Sequence, residues 1–290
     1  MRCTFAPVIL LFSAIAFFAA VPPAGDIAAH AAGGSDRISP GKLDKASLCG
    51  IGRGNGCSVK IAIARGLFQT GLRPNFSANA RCRDIDEHWA IDYTYKRNRE
   101  SYHGGIDMPA PFGTPILAAA TGTVVGVYSS GDNSRGIQVI LRHTPEDTGI
   151  PLWIYTVYAH LQRMPKLSVG DRLRMGDVIG PTGNTGRLGV HKDGRRGGRR
   201  QHDSRRPAVH FAVYFSASPK YASLREIVIP ADGFWMDPVA LFRAKPPFDS
   251  TTMRALPASK KKVPIPYMLA NHEVFPAGSK LIWPYACTRR

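Results

Sequence analysis

The feature that most constrains the fold is a series of short β-branched and aromatic runs, interrupted by turn residues, between residues 86 and 245. Val, Ile and aromatic residues favour strands, whereas Gly, Pro, Asn and Asp favour the turns between them. The intervals are too short for crossover helices, so neighbouring strands should pair mostly antiparallel. The sequence therefore predicts a mainly β fold with an antiparallel sheet core. The predicted strands cover residues 116–128, 137–143, 153–161, 172–179 and 209–215.

Short extensions flank this region on both sides. Residues 32–85 begin with a Gly/Ser/Asp/Pro-rich linker and continue as a cysteine-containing segment. Within that segment, residues 59–63 fit either a short strand or the start of a helix. Residues 246–290 begin as a Pro- and Lys-rich linker and end in a short apolar C-terminal segment.

The N-terminus has the pattern of a secretory signal peptide. Arg2 precedes an apolar run over residues 6–21, and the small residues Ala29 and Ala31 follow. The run of 16 residues is shorter than the ~20 that a membrane-spanning helix needs. We therefore expect cleavage near Ala31, with residues 1–31 as the leader; an uncleaved anchor is the alternative.

Export limits the kinds of polyanionic partner that the positive charge of the chain can indicate. The formal net charge of +17 favours a polyanionic partner. Export favours anionic envelope polymers over nucleic acid as this partner, so we expect no nucleic-acid partner and predict a periplasmic or cell-envelope location. An Arg-rich loop at 187–206 holds eight Lys or Arg residues against two Asp residues. This loop is either a solvated charge run or a contact with anionic envelope polymers.

The cysteines agree with export. Cleavage removes Cys3 and leaves Cys49, Cys57, Cys82 and Cys287, which allow three disulfide pairings that sequence cannot distinguish. The short Gly-rich interval after Cys49 favours a Cys49–Cys57 bridge, with Cys82–Cys287 tying back the C-terminus. A zinc knuckle is the competing interpretation, but the chain has no CxxC spacing and an oxidising compartment favours bridges.

Metal-ligand chemistry is concentrated near residue 103. His103 and Asp107 place a nitrogen and a carboxylate donor four residues apart in a Gly-softened segment, and His210 lies in a predicted strand. Both donor types bind zinc, and three protein ligands would leave one tetrahedral position open, as in catalytic sites. Taken alone, a His and an Asp at this spacing are a weak signal.

A series of motifs, in order and spacing, resembles the LytM or lysostaphin-type zinc endopeptidases. The resemblance covers residues 100–216 and extends to 86–245 at most. The motifs are HGGIDMPA at 103–110, GTPILAA with GTV at 113–124, YAHL at 158–161, VGDRLRMGDVIG at 169–180 and GNTG at 183–186.

This resemblance implies an antiparallel LytM-type peptidase core at 86–245, with a groove and a Zn²⁺ ion held by His103, Asp107 and His210. It also implies that His160 is a catalytic residue that handles protons, a role that suits histidine. A packed strand histidine is the alternative for His160. Known members cut peptide cross-links of bacterial peptidoglycan, so peptidoglycan is the expected substrate.

The sequence departs from the family pattern at one position. The family ends in a His-x-His pair whose second His binds zinc and whose first assists catalysis, whereas here Ala208 precedes His210 by two residues. His191 or His202 from the Arg-rich loop could substitute, although solvated loop residues are the simpler interpretation. His88, His143 and His272 lack ligand spacing and are taken as structural.

Two functions follow from this pattern. The first is a secreted zinc-dependent endopeptidase that hydrolyses peptidoglycan cross-links. The second is a catalytically weakened or inactive LytM-type module that binds the cell wall and regulates a partner hydrolase. The complete set of three ligands favours the enzyme, and Ala208 favours the module.

Overall fold

The predicted β-rich region forms the central sheet of the protein in a computed structural model. The structure describes residues 36–52, 57–86, 92–94, 101–129, 134–186 and 206–290. The predicted leader, residues 1–31, and residues 187–205 of the Arg-rich loop therefore lie outside the described residues. His88, His191 and His202 lie outside them as well.

Short strands dominate the described residues, as predicted. The strands are β1 (Arg73–Asn75), β2 (Ala80–Arg81), β3 (Asp92–Thr94), β4 (Ser101–His103), β5 (Ile106–Pro109), β6 (Pro115–Leu117), β7 (Gly122–Tyr128), β8 (Gln138–His143), β9 (Trp153–Ala159), β10 (Arg172–Leu173), β11 (Val178–Pro181), β12 (Ala208–Ser216), β13 (Tyr221–Leu224), β14 (Ile227–Pro230), β15 (Phe234–Met236), β16 (Lys262–Pro264), β17 (Tyr267–Met268), β18 (Val274–Phe275) and β19 (Thr288–Arg289). The α-helices are α1 (Lys45–Gly50), α2 (Val59–Ala64), α3 (Pro145–Thr148), α4 (Pro238–Leu241) and α5 (Ser250–Arg254).

The main sheet has seven strands in the order β10-β7-β8-β9-β12-β15, with β5 also paired to β12. All of these pairings are antiparallel, which confirms the predicted fold class. The longest strand, β12, has β9 along one edge and β5 and β15 along the other. Its first residues therefore lie between two strands, which is where the site is built.

The main sheet is covered on both faces. Alternate residues of β12 face opposite sides, so Phe211 joins one apolar cluster and Tyr214 joins another. The cluster around Phe211 takes in Trp283 from the C-terminal segment, and the cluster around Tyr214 takes in Ile51 from the N-terminal segment. Both extensions thus bury apolar side chains against the sheet. The domain boundaries at 31, 85 and 245 stay predictions.

Two of the five predicted strands are not continuous in the structure, so those two predictions were wrong. Residues 172–179 split into β10, which pairs with β7, and β11, which pairs with β6. The break is a turn in which Gly176 has φ +89° and the Asp177 carboxylate accepts the Arg174 backbone N–H at 2.7 Å. Residues 116–128 split in the same way, because β6 and β7 belong to different sheets. Apolar periodicity does not reveal such a change of partner strand.

The ambiguous run near residue 60 is helical. Ser58 begins α2 by accepting the Lys60 backbone N–H at 3.2 Å, as Ser commonly does at a helix N-cap. None of the helices among the described residues combines the length and the hydropathy needed to cross a membrane.

Both predicted disulfides are confirmed. Cys49 is bonded to Cys57, and Cys82 is bonded to Cys287. The second bridge spans 205 residues and joins the N-terminal segment to the C-terminal one. The C-terminal segment is therefore fixed covalently as well as by packing.

Candidate metal centre

The four predicted site residues come from four separate parts of the chain. His103 ends β4, Asp107 lies in β5, His210 lies in β12, and His160 directly follows β9. In the sheet register His210 stands opposite Asp107 on one side and opposite Ala159 on the other. Directly opposed residues of antiparallel strands point to the same face. The fold therefore gathers residues that are up to 107 positions apart in sequence.

Three of these residues converge through their donor atoms. Asp107 Oδ1 lies 3.1 Å from His103 Nε2 and 3.0 Å from His210 Nδ1, and the two nitrogens are 3.1 Å apart. Asp107 and His210 are buried, and His103 is partly exposed. Among the described residues, this trio is the cluster of His, Cys, Asp or Glu side chains with metal-binding geometry.

The spacing of these donors suits one zinc ion. Bond lengths of about 2.0–2.1 Å in a tetrahedral site place neighbouring ligand atoms roughly 3.3 Å apart. The three observed separations, 3.0 to 3.1 Å, come close to that value. Two imidazoles and one carboxylate are a zinc donor set, and a set of three leaves a coordination position for a substrate or water.

The electrostatics give the protonation states that a metal needs. Burial by itself raises the pKa of Asp107, but the charges and hydrogen bonds of His103 and His210 outweigh it and hold that pKa well below its usual range. Burial is also the main reason why the pKa of His210 falls to about 4. At neutral pH the site thus presents an ionised carboxylate and a neutral His210 imidazole, which are the ligating forms.

Glycines next to His103 allow the close approach. A Cβ atom on Gly105 would lie 2.8 Å from His210 Nε2 and 2.5 Å from the Phe211 carbonyl oxygen. A Cβ on Gly104 would overlap the Trp235 ring. The two glycines between the predicted ligands are therefore required by packing, which the sequence showed only as a flexible segment.

His160 lies beside the trio rather than in it. Its ring centroid is 5.8 Å from that of His210, and its backbone has φ +66°, which turns the chain as β9 ends. His160 Nδ1 lies 2.7 Å from the Thr185 carbonyl oxygen, which can only accept a hydrogen bond. Nδ1 therefore carries the proton, and the neutral ring has its lone pair on Nε2.

Ala208 occupies the position of the missing histidine. It lies two residues before His210 on the same strand, so both side chains share one face of the sheet. It is buried, and its backbone N–H donates to the Gly183 carbonyl at 3.1 Å. Its methyl group cannot donate or accept a proton, so position 208 provides no proton-transfer group beside His210.

Sequence reasoning missed two groups near the trio. The Arg135 backbone carbonyl accepts the His160 N–H at 2.9 Å, and the Arg135 guanidinium donates to the Tyr214 hydroxyl at 2.7 Å. After burial and the charge of His103, the charge of Arg135 also helps to lower the pKa of His210. The second group is the Thr185 carbonyl. Arg135 has no motif that could have drawn attention to it, whereas Thr185 belongs to the GNTG motif.

A face of an antiparallel sheet that carries a three-donor centre and an adjacent histidine defines a candidate mononuclear metal site. Residues 101–220 match the sequence profile of peptidase family M23. This segment contains all three donors and His160, and the match confirms the resemblance to LytM and lysostaphin-type peptidases. Residues 101–220 are therefore similar to a peptidase family M23 domain.

Curated relatives and a solved structure that are similar to this segment are named as peptidases. The peptidoglycan DD-endopeptidase ShyC of Vibrio cholerae is 38% identical over 105 residues, which is 32% of this chain and 22% of that protein. The DD-carboxypeptidase/endopeptidase Mpg of Neisseria meningitidis is 36% identical over 85 residues, which is 29% of this chain and 17% of that protein. The catalytic domain of lysostaphin from Staphylococcus simulans is 24% identical, with a TM-score of 0.30, covering 42% of this chain and 74% of that domain. The match thus spans about a fifth of each of these two curated relatives.

Proposed function

We propose that this protein is a secreted, zinc-dependent endopeptidase that hydrolyses peptide cross-links of bacterial peptidoglycan. The observation that carries the proposal is the convergence of the donor atoms of His103, Asp107 and His210 within a segment that matches peptidase family M23. The name of the Vibrio cholerae relative supports the substrate class. The two disulfides support an oxidising, extracytoplasmic location.

The residues of the trio would hold the ion through His103 Nε2, Asp107 Oδ1 and His210 Nδ1. When bound, zinc would supply Lewis-acid polarisation of the scissile carbonyl and activation of water. The chain itself contributes a buried, ionised Asp107 and a rigid sheet that keeps the three donors in register. Such preorganisation reduces the cost of ordering the site during the reaction.

His160 is the proposed proton carrier. Because Thr185 holds the proton on Nδ1, the ring can accept a proton from the attacking water at Nε2. The same nitrogen can then return this proton to the leaving amine. Positioned general acid–base groups contribute ~10²- to 10⁴-fold to rate. The family has a second proton-transfer histidine at the position of Ala208. Because this chain lacks it, we expect a slow hydrolase.

A wall-binding regulatory module is the second candidate, and Ala208 is the observation that favours it. The Arg-rich loop at 187–206 would supply contacts with anionic envelope polymers in either case. The two candidates share a zinc site and differ in turnover. A partner hydrolase would be needed only by the module.

Digestion of purified sacculi separates the two candidates. Mature protein with one zinc per chain should release soluble peptide-containing fragments, and a chelator should stop the release until zinc is restored. New amino and carboxyl ends in the fragments would identify peptide hydrolysis. Binding to sacculi without any fragment release by the zinc-loaded protein would support the module instead.

A further inference from the structure

The C-terminal segment reaches the candidate site from outside the residues that match the family. Tyr285 is buried, and its ring joins the apolar cluster that covers the Phe211 face of the sheet. Its hydroxyl lies 2.7 Å from Thr182 Oγ1. Burial is the main reason why the pKa of Tyr285 rises to about 12, and the hydroxyl also has a hydrogen bond with the Val209 backbone in β12. Tyr285 is therefore a neutral hydrogen-bonding group at Thr182, and its ring lies on the sheet face opposite His210.

The direction of this hydrogen bond follows from the other partners of Thr182. The Thr182 hydroxyl donates its single proton to the Thr114 carbonyl at 2.8 Å, and the Thr182 backbone N–H donates to the same oxygen at 2.8 Å. Thr182 Oγ1 must then accept from its other neighbour. The Tyr285 hydroxyl is the donor, so the C-terminal segment holds Thr182 in place.

Thr182 starts the segment that contacts His160. We call residues 182–186 the acceptor loop, because two of its carbonyls accept hydrogen bonds at the site. The Gly183 carbonyl accepts the Ala208 N–H at 3.1 Å, and the Thr185 carbonyl accepts His160 Nδ1–H at 2.7 Å. A displacement of this loop would loosen the bond that sets the tautomer of His160.

We propose that Tyr285 is a positioning residue for His160, acting through its hydrogen bond to Thr182 and the acceptor loop. The ring of Tyr285 accounts for the packing, which phenylalanine would provide equally well. A buried hydroxyl stabilises a fold only when it is bonded. Here one bond ends on the loop that orients His160, and a second is made with the Val209 backbone in β12. The proposal rests on the endopeptidase function proposed above.

The experiment compares Tyr285→Phe with Tyr267→Phe, a matched change in the same C-terminal segment. Tyr267 stacks on Phe275 with ring centroids 5.3 Å apart, and it belongs to a different apolar cluster. Loss of one positioning hydrogen bond should lower kcat about three- to tenfold. KM and the zinc content should stay unchanged in Tyr285→Phe, and Tyr267→Phe should keep the parent kcat.

A double-mutant cycle shows whether Tyr285 acts through His160. In a His160→Ala background, Tyr285→Phe should cause no further loss of turnover. An equal loss in that background, an unchanged kcat in the single variant, or an equal loss in Tyr267→Phe would overturn the proposal. Thr182→Val removes the same bond from its other side, together with the Thr182 bond to the Thr114 carbonyl. It should lower kcat at least about three- to tenfold, which keeps the proposal testable if Tyr285→Phe does not fold.

A second measurement does not depend on activity. NMR of histidine-labelled protein reports the Nδ1–H of His160, and its solvent exchange should speed up about three- to tenfold in Tyr285→Phe. Unchanged exchange would contradict the proposal even in an active enzyme. Faster exchange in a protein that releases no fragments would instead refute the endopeptidase function and leave the positioning role supported.

Discussion

Two buried histidines lie on opposite faces of the main sheet, and a comparison between them shows how a structural histidine differs from a candidate metal ligand. His143 ends β8 on the face of Leu141, and His210 lies in β12 on the face of Tyr214. Burial is the main cause that lowers the pKa of each to about 4. Their burial and their titration therefore cannot tell them apart.

The partners of the ring nitrogens differ. His143 Nδ1 lies 2.7 Å from the Thr121 carbonyl and Nε2 lies 2.7 Å from the Thr156 hydroxyl, so ordinary hydrogen bonds use both nitrogens. His210 Nδ1 instead faces the Asp107 carboxylate and a second imidazole. Convergence of donor atoms on one point, rather than burial or a shifted pKa, is what distinguishes the candidate metal centre.

The largest predicted effect is the loss of turnover in His160→Ala. If His160 carries the proton, its removal should slow fragment release by ~10²- to 10⁴-fold while zinc stays bound. His143→Gln tests the other face of the sheet and should keep both zinc and turnover at temperatures where it is folded. Equal losses of turnover in the two variants would contradict the assignment of His160 as the proton carrier and of His143 as a structural residue.

The next effect concerns the stability of the fold between pH 4 and 6.5. Burial lowers the pKa of His143 from 6.5 to about 4, so the unfolded state binds more protons in this range. The free energy of unfolding should then fall as the pH drops from about 6.5 towards 4, by roughly 3 kcal/mol from this residue.

Urea unfolding of the wild type and His143→Gln at several pH values measures this contribution as a difference. The carboxylates and His210 contribute to both proteins and cancel. The wild type should lose more stability on acidification than the variant. Parallel pH profiles would show that His143 is protonated as easily in the folded chain as in the unfolded one.

The smallest predicted effect is a gain. Ala208→His restores the family pattern on the same sheet face as His210 and should speed fragment release about tenfold, which is less than the ~10²- to 10⁴-fold of a fully positioned proton-transfer group. Zinc content should not change. A variant that binds zinc and cuts no faster would show that His160 alone handles the protons, or that position 208 cannot present an imidazole.

The sheet and the three proposed ligands were predicted from different features of the sequence. Strand residues alternate locally, so β8, β9 and β12 could be predicted to within two residues at each end. His103, Asp107 and His210 followed from a motif resemblance, since nothing local brings residue 210 next to residue 107. Their contact depends on the pairing of β5 with β12, which is a long-range property.

Other parts of the site could not be predicted because they depend on tertiary packing. Tyr285 reaches Thr182 only after the C-terminal segment folds back over the sheet, and no pattern around residue 285 indicates this. The role of Arg135 could not be predicted for the same reason, because its partner Tyr214 is 79 positions away in sequence. The splitting of 172–179 between two sheets was missed, although Gly176 and Asp177 inside this run are turn residues.

Zinc content tests the central claim most directly. Metal analysis of the purified mature protein should give one zinc per chain in the wild type and in His143→Gln. It should give almost none in Asp107→Ala or His210→Ala, with the sheet retained by circular dichroism. One zinc per chain in Asp107→Ala, or none in the wild type after zinc is supplied, would contradict the assignment of the three convergent donors as a metal centre.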